Sequence, residues 1–183
     1  LDVMVLIPPG TAPHVYDPSP RQMAALNDVD VYFYNGHLSF EQSLLGKIDD
    51  NYPTMDLLNL SANMELLSGE VCKDHSHDHH HASDPHTWLS ATNGKIIAKN
   101  LYEFLVEKYP NEHEIFARNY SKLTAKIDSL HQDIQNTLGN APSAKFMIFH
   151  PSLSYFARDY DLEQIPIEFE GKEPSPAKLK ASL

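Results

Sequence analysis

The sequence predicts an α/β fold in which strands of parallel sheets alternate with helices. Short apolar runs rich in β-branched and aromatic residues alternate with segments that carry helix-start signals. One long stretch has an uninterrupted helical period, and a second strand-and-helix pattern follows it. These observations indicate two α/β units joined by a long helix, with the second unit incomplete within these 183 residues.

The first unit is predicted to be an N-terminal α/β lobe over residues 1–110. An unbroken apolar run at residues 3–7 predicts a strand buried on both faces. Residues 19–22, Ser-Pro-Arg-Gln, combine a Ser cap, a Pro at the first helical position and a Gln suited to a capping box. Residues 31–34 predict a second strand, and residues 54–60 predict a weaker third one.

Residues 111–140 are predicted to form a linking helix that serves as a spine. Ser90 can cap the helix before it, which Pro110 interrupts. After that break, apolar residues recur at steps of three and four, as one face of a helix requires. They are Phe116, Tyr120, Leu123, Ile127, Leu130, Ile134 and Leu138. The helix is expected to be about 40 Å long at about 1.5 Å per residue.

Residues 141–183 are predicted to begin a C-terminal α/β lobe. Residues 145–149 are typical of a buried strand, residues 152–160 predict a short helix, and residues 162–169 contain a candidate for the next strand. Residues 175–178 repeat the pattern of a Ser cap followed by Pro, which predicts another helix start.

Composition excludes several classes of function. Fourteen Lys and Arg against 25 Asp and Glu leave a net charge of −11, which repels a phosphate backbone, so no nucleic-acid partner is expected. The apolar runs are too short to cross a bilayer, so no membrane span is expected. The single cysteine, Cys72, excludes an internal disulfide and a cysteine-based zinc cluster. Any metal chemistry must therefore use imidazole and carboxylate groups.

Three histidines, His14, His86 and His150, have similar local surroundings. His14 and His150 follow predicted strands, and ligands of open parallel sheets bind beyond the carboxyl ends of strands. Each histidine has a proline directly next to it, which restricts the backbone and lowers the entropy lost when the ring is fixed. Three imidazoles on one ion suit Zn²⁺, whereas Mn²⁺ prefers more oxygen ligands. The alternative for each histidine alone is an ordinary loop residue bonded to a nearby carbonyl.

Two acidic residues are candidates to orient these rings. Asp17 and Asp84 lie within three residues of His14 and His86, and each can accept the N–H of the imidazole nitrogen that faces away from a metal. Capping of a helix or turn is an equal alternative for both. We interpret His37, His113, His131 and Cys72 as bystanders, and Trp88, Tyr155 and Phe156 as core residues.

A second histidine cluster lies in residues 74–83, whose one apolar residue is Ala82, so this segment is predicted to be a mobile loop. Its accessory metal ligands are His75, His77, His79, His80 and His81. Flexible neighbouring ligands allow many geometries, so the tract predicts metal contact without one defined site. We interpret it as a low-affinity collector near His86, with a metal sensor or a cloning tag as the alternatives.

The motifs around the three histidines resemble those of one known family. They are residues 9–20 (PGTAPHVYDPSP), 84–89 (DPHTWL) and 149–156 (FHPSLSYF), supported by residues 32–37 (YFYNGH) and 173–176 (EPSP). Over essentially its whole length, the chain resembles the zinc/manganese solute-binding proteins of bacterial ABC importers, the ZnuA/TroA-like group.

The resemblance implies two α/β lobes joined by one rigid backbone helix, with the metal held in the cleft between them. It also implies that His14, His86 and His150 correspond to the family's first, second and third metal ligands. In manganese members of the group the third ligand position resembles a Glu, so the His at position 150 implies zinc. The acidic His-rich loop, which is similar to that of zinc members, implies the same metal. The family's fourth ligand would lie beyond Leu183 and its first strand upstream, so we expect a fragment that lacks part of both ends.

We therefore predict an extracytoplasmic protein, periplasmic or on the outer face of the cytoplasmic membrane, that captures Zn²⁺ and delivers it to an ABC permease without catalysing a reaction. Mn²⁺ is the less favoured metal. A zinc hydrolase is the rival hypothesis, with three histidines and water on the metal and Asp17 or Asp84 as the general base. A simple metal buffer that uses the His-rich loop alone is a further alternative.

Overall fold

The computed structural model describes residues 2–13, 16–68, 83–141 and 143–168. Helices α1 to α5 are Pro20–Ala25, Ser39–Asn51, Ala91–Lys108, His113–Leu138 and Ser154–Asp159, and strands β1 to β4 are Val31–Tyr34, Asp56–Asn59, Lys145–Ile148 and Glu163–Pro166. The chain divides into two compact units, Leu1–Ser61 and Ala62–Leu183. In the part that the structure describes, no helix is both long and apolar enough to cross a membrane.

The first unit contains the predicted capped helix. Gln22 N–H donates to Ser19 Oγ at 3.4 Å, Ser19 N–H donates to Gln22 Oε1 at 3.0 Å, and Pro20 occupies the first helical position. The reciprocal pair satisfies two backbone donors that a helix start otherwise leaves without partners. The prediction of a helix after Ser19 is confirmed.

Strands β1 and β2 pair in parallel, with Val31 opposite Asp56 and Tyr34 opposite Asn59. Helix α2 connects them, as a parallel pair requires. The strands predicted at residues 31–34 and within residues 54–60 are therefore confirmed. The buried core of this unit is formed by Leu26, Leu44, Ile48 and Met55, and Tyr32 of β1 packs against it.

The strand predicted at residues 3–7 is wrong. This segment has no regular strand structure, and Val3 is 79% exposed. The Leu6 carbonyl accepts hydrogen bonds from the Tyr16 hydroxyl and the Gln22 amide, both at 2.6 Å, instead of from a neighbouring strand. An apolar run forms a strand only where another strand satisfies its backbone groups. In the described part of this unit, β1 and β2 pair with each other.

The second unit is built around two packed helices. Helix α3 begins at Ser90, whose Oγ accepts the Asn93 N–H at 3.0 Å, so the predicted cap is confirmed. Helix α4 has 26 residues, which corresponds to about 39 Å, and confirms the predicted long helix. The rings of Tyr102 on α3 and Tyr120 on α4 stack with centroids 4.6 Å apart.

Not all of the apolar face of α4 is covered. Leu123 and Leu130 are exposed, although both belong to the stripe that predicts the helix. Helices α3 and α4 pack on each other and both belong to the second compact unit. The proposed lobes at residues 1–110, 111–140 and 141–183 stay a prediction.

Strands β3 and β4 form a second parallel pair, with Lys145 opposite Glu163 and Ile148 opposite Pro166, and α5 connects them. The predicted strand, helix and strand are confirmed. The expectation that residues 145–149 are buried is wrong, because Met147 and Phe149 are exposed. The described residues cover one face of this two-stranded sheet, so side chains alternate between covered and exposed positions. The helix start predicted at residues 175–178 lies outside the described residues.

A buried carboxylate joins α5 to the start of α3. Asp159 accepts hydrogen bonds from Ser90 Oγ at 2.5 Å and from Arg158 Nη2 at 2.8 Å, and its side chain is 4% exposed. Burial raises the pKa of Asp159, but the hydrogen bonds from Ser90, Arg158 and Thr92 together hold that pKa below its usual range. The carboxylate therefore stays ionised and links the two helices.

We expect Asp159→Asn to lower the free energy of unfolding by about 2 kcal/mol at pH 7, because hydrogen bonds to a charged acceptor are lost. The folded pKa is lowered, so this stability is present above the unfolded pKa of about 3.9 and is lost as the pH falls through the folded value. The gap between variant and wild type should therefore narrow below about pH 4. Urea unfolding at pH 7 and pH 3.5 measures both effects.

The matched control is Asp128→Asn, which removes an exposed carboxylate paired with Lys95 at 2.7 Å. Exposed pairs contribute little, so we expect a change below about 0.5 kcal/mol. Equal losses in the two variants would show that the Asp159 network does not stabilise the helix junction.

Candidate metal centre

Two of the three predicted ligand histidines meet in the second unit. The Nε2 atoms of His86 and His150 lie 3.3 Å apart, and their ring centroids are 5.1 Å apart. His86 lies before the 3-10 turn Thr87–Leu89 that leads into α3, and His150 follows β3 by two residues. The two nitrogens are close enough to act as ligands of one metal ion.

His86 is oriented by the predicted carboxylate. Asp84 Oδ1 lies 2.7 Å from His86 Nδ1 and also accepts the His86 backbone N–H at 2.9 Å. The two roles that the sequence left open for Asp84, orienting the ring and capping the turn, are thus both present. The hydrogen bond to a carboxylate places the ring proton on Nδ1 and leaves the lone pair of Nε2 directed at His150.

The charge of Asp84 is maintained although both residues of the pair are buried. Burial raises the pKa of Asp84, but the hydrogen bonds from His86 and Ser154 together hold it below its usual range. An ionised carboxylate on the outer nitrogen raises the basicity of an imidazole and hence its strength as a metal ligand.

Tyr155 holds the segment that carries Asp84. Its ring is fully buried, and its hydroxyl donates to the Asp84 carbonyl at 2.9 Å and accepts the Leu67 N–H at 3.2 Å. The prediction that Tyr155 is a core residue is confirmed, but the sequence analysis missed its second role of positioning Asp84 through that hydroxyl. No local signal identifies this role, because Asp84 and Tyr155 are 71 positions apart.

The prediction that Trp88 is a core residue is wrong. Its side chain is 40% exposed, and its ring centroid lies 5.6 Å from that of His86. The 3-10 turn directs Trp88 away from the buried Thr87. Because this is the one tryptophan of the chain, its fluorescence reports on the surroundings of His86.

Glu168 is a second carboxylate that the sequence analysis missed. Its Oε2 lies 3.4 Å from His150 Nδ1. Two backbone hydrogen bonds, Ile167 N–H to Ile148 O at 2.8 Å and Glu168 N–H to Phe149 O at 2.9 Å, continue the pairing of β3 and β4 up to this residue. The available signal was the predicted strand at residues 162–169, since parallel neighbours end at the same sheet edge.

The other predicted site residues lie outside the described residues or in the first unit. His14 and the tract His75, His77, His79, His80 and His81 lie outside the described residues, as does Cys72. Asp17 is described and is exposed in the first unit. Within the described ranges, no group of three or more His, Cys, Asp or Glu side chains is arranged to hold a metal ion.

The histidines interpreted as bystanders have other partners. His37 Nε2 lies 2.9 Å from Ser61 Oγ, and burial lowers the pKa of His37, against the opposing effect of Glu41. His113 Nδ1 lies 3.2 Å from the Pro110 carbonyl, and His131 Nδ1 lies 3.0 Å from the Tyr160 hydroxyl. Each of the three rings thus has a polar contact of its own within the described residues.

The fold and the facing imidazoles define an α/β protein with a candidate metal centre. The chain belongs to the family described as zinc-uptake complex component A, periplasmic, whose model matches residues 1–182. Among curated relatives, the zinc-binding lipoprotein AdcA of Streptococcus pneumoniae strain R6 is 30% identical over 97% of this chain and 37% of that protein. The high-affinity zinc uptake system protein ZnuA of Bacillus subtilis is 30% identical over 97% of this chain and 58% of that protein.

Solved structures agree on the fold. A crystal structure of ZnuA matches 99% of this chain and 67% of that chain with a TM-score of 0.87 and 37% identity. Zn(II)-bound AdcA from Streptococcus pneumoniae matches 98% of this chain and 37% of that chain with a TM-score of 0.80 and 30% identity. The predicted α/β class, with parallel sheets and a long helix, is confirmed, and each described sheet has two strands. The chain spans between about a third and two thirds of these relatives.

We expect Tyr155→Phe to lower the free energy of unfolding by about 1–3 kcal/mol, because the Asp84 carbonyl and the Leu67 N–H lose their shared partner while the ring still fills the core. Thermal or urea unfolding measures the change. Tyr102→Phe is the control, since its ring stacks on Tyr120 and no described hydrogen bond involves its hydroxyl; we expect a change within about 0.5 kcal/mol. Equal effects would mean that the Tyr155 hydroxyl does not hold the Asp84 segment.

Proposed function

We propose that this chain is the zinc-binding part of an extracytoplasmic solute-binding protein that captures Zn²⁺ and delivers it to an ABC permease. His86 and His150 bind the ion. The observation that carries the proposal is the 3.3 Å separation of their Nε2 atoms. Two nitrogens bound to one zinc ion at 2.0–2.1 Å with a tetrahedral angle are about 3.3–3.4 Å apart.

Zinc is proposed over manganese because the described donors are imidazoles. Manganese prefers a larger share of oxygen ligands. The names of the relatives support the same choice, since AdcA is called zinc-binding and ZnuA is called part of a zinc uptake system. Their names describe binding and uptake, and the family is a component of an uptake complex, so the proposed activity includes no chemical reaction.

His14 is proposed as the third ligand on the strength of the family resemblance. The two lobes joined by a rigid backbone helix belong to the same proposal. Helix α4 supports it because its 26 residues contain neither Gly nor Pro, the usual causes of a kink. The His-rich residues 74–83 are proposed as an accessory collector that raises the local zinc concentration.

The hydrolase hypothesis receives less support. Its candidate bases were Asp17 and Asp84, and Asp84 is committed to the Nδ1 of His86 at 2.7 Å. A general base must instead reach the proton of a metal-bound water. The names of these two relatives refer to zinc binding and zinc uptake and not to a catalytic activity.

We expect zinc affinity to fall by more than about 100-fold in His86→Ala and in His150→Ala, since losing a ligand costs more than losing its supporting partner. Titration of the protein lacking residues 74–83, followed by the fluorescence of Trp88, measures the site without the tract. The triple variant that also carries His14→Ala should show no tight site, whereas His113→Ala should match the parent.

Three results would contradict the proposal in different ways. Unchanged affinity in His86→Ala would make the pair structural. Loss of all tight binding on removal of residues 74–83 would favour the simple buffer. Tighter binding of Mn²⁺ than of Zn²⁺ would favour a manganese-specific member of the family.

We expect Asp84→Asn to lower zinc affinity by about 10–100-fold while the protein stays folded, because the ring of His86 loses its ionised partner. Isothermal titration calorimetry at pH 7.5 measures the loss. Asp128→Asn makes the same change at an exposed ion pair and should leave the affinity unaltered. Equal affinities in Asp84→Asn and the parent would show that this carboxylate only caps the turn.

A further inference from the structure

We propose that Glu168 is a positioning residue for His150: its carboxylate accepts the Nδ1–H of that ring and so directs the Nε2 lone pair at the metal. This inference rests on the proposed function and deepens it. It adds to the centre a residue that the sequence motifs around the three histidines do not contain.

The surroundings of His150 resemble those of His86. The two Nε2 atoms lie 3.3 Å apart, and each Nδ1 lies near a carboxylate: Asp84 at 2.7 Å, within a hydrogen bond, and Glu168 at 3.4 Å, within an ion-pair contact. Metal-bound histidines usually donate their outer N–H to such a group, which sets the tautomer and the ring orientation. The second carboxylate is at longer range, and a contraction of about 0.5 Å would bring it to the usual length of a charge-assisted hydrogen bond.

The tautomers follow from the two carboxylates. If each ring donates its Nδ1–H outwards, both Nε2 atoms carry lone pairs, which face each other across 3.3 Å. Both lone pairs are then available to bind one cation, which lies off the line that joins the two nitrogens. The alternative tautomer of His150, with its proton on Nε2, donates to His86 Nε2 instead and leaves no lone pair for a metal.

The backbone fixes Glu168 beside the ring. Its N–H donates to the Phe149 carbonyl at 2.9 Å, which places Glu168 two residues beyond Pro166, the partner of Ile148. The ring of His150 is 43% exposed, whereas the side chain of Glu168 is 14% exposed. A largely buried carboxylate beside a partly exposed ring is suited to orient that ring, because the backbone already holds the carboxylate in place.

The test is a double-mutant cycle on zinc affinity, read from Trp88 fluorescence in the protein lacking residues 74–83. Glu168→Gln should lower affinity by about 10–100-fold. In the His150→Ala background the same change should have no further effect, because Glu168 acts through that ring. Glu163→Gln is the control, because Glu163 lies on β4, the strand that leads to Glu168, and forms an exposed ion pair with Lys145.

A second readout does not depend on zinc. Nitrogen-15 NMR of the imidazoles in the metal-free protein should place the His150 proton on Nδ1, and Glu168→Gln should shift the tautomer ratio towards Nε2. Glu163→Gln should leave it unchanged. His150→Ala identifies the signal.

The outcomes separate the two proposals. Equal affinities and tautomers in the two glutamine variants would overturn the role of Glu168 while leaving the zinc site intact. A further loss from Glu168→Gln in the His150→Ala background would make Glu168 a direct ligand and overturn the positioning role. If the parent protein shows no zinc site that depends on His150, the proposed function fails. If the His150 proton of the parent protein is then also found on Nε2, the role of Glu168 fails with it.

Discussion

The candidate metal centre depends on the buried hydrogen bond between Asp84 and His86. At 2.7 Å it sets the tautomer and the direction of the ring, and it is maintained because Asp84 stays ionised in a buried position. A buried carboxylate needs hydrogen-bond donors, and here the donors include His86 itself and Ser154. The Tyr155 hydroxyl holds the Asp84 carbonyl of the same segment. Every contact that satisfies Asp84 therefore also restrains His86.

Parallel strand pairing supplies the second constraint. Strands β3 and β4 end at the same edge, so the residues that follow them, His150 and Glu168, come together without any local sequence relation. Helix α5 begins four residues after His150, and the buried link from Asp159 to Ser90 joins it to the start of α3. The turn that carries His86 directly precedes that start. One helix junction thus helps to bring the two imidazoles together.

Family membership and site geometry answer different questions about this chain. The family match over residues 1–182 identifies the kind of protein, and the relatives it resembles are longer than this chain. The facing nitrogens identify which side chains can act as a unit and how each is held. The geometry adds three features to the family resemblance: the hydroxyl of Tyr155, the exposed ring of Trp88 and the carboxylate of Glu168.

The sequence by itself determined the features that depend on near neighbours. The capped helix starts at Ser19 and Ser90 and the 26-residue helix α4 follow from residues within four positions of each other. Motifs also selected His86 and His150 as candidate ligands. Only the tertiary structure decided that residues 3–7 form no strand, that Trp88 is exposed, and that Glu168 faces His150. Strand pairing, burial and register join residues far apart in the chain, and no local pattern records which of them meet.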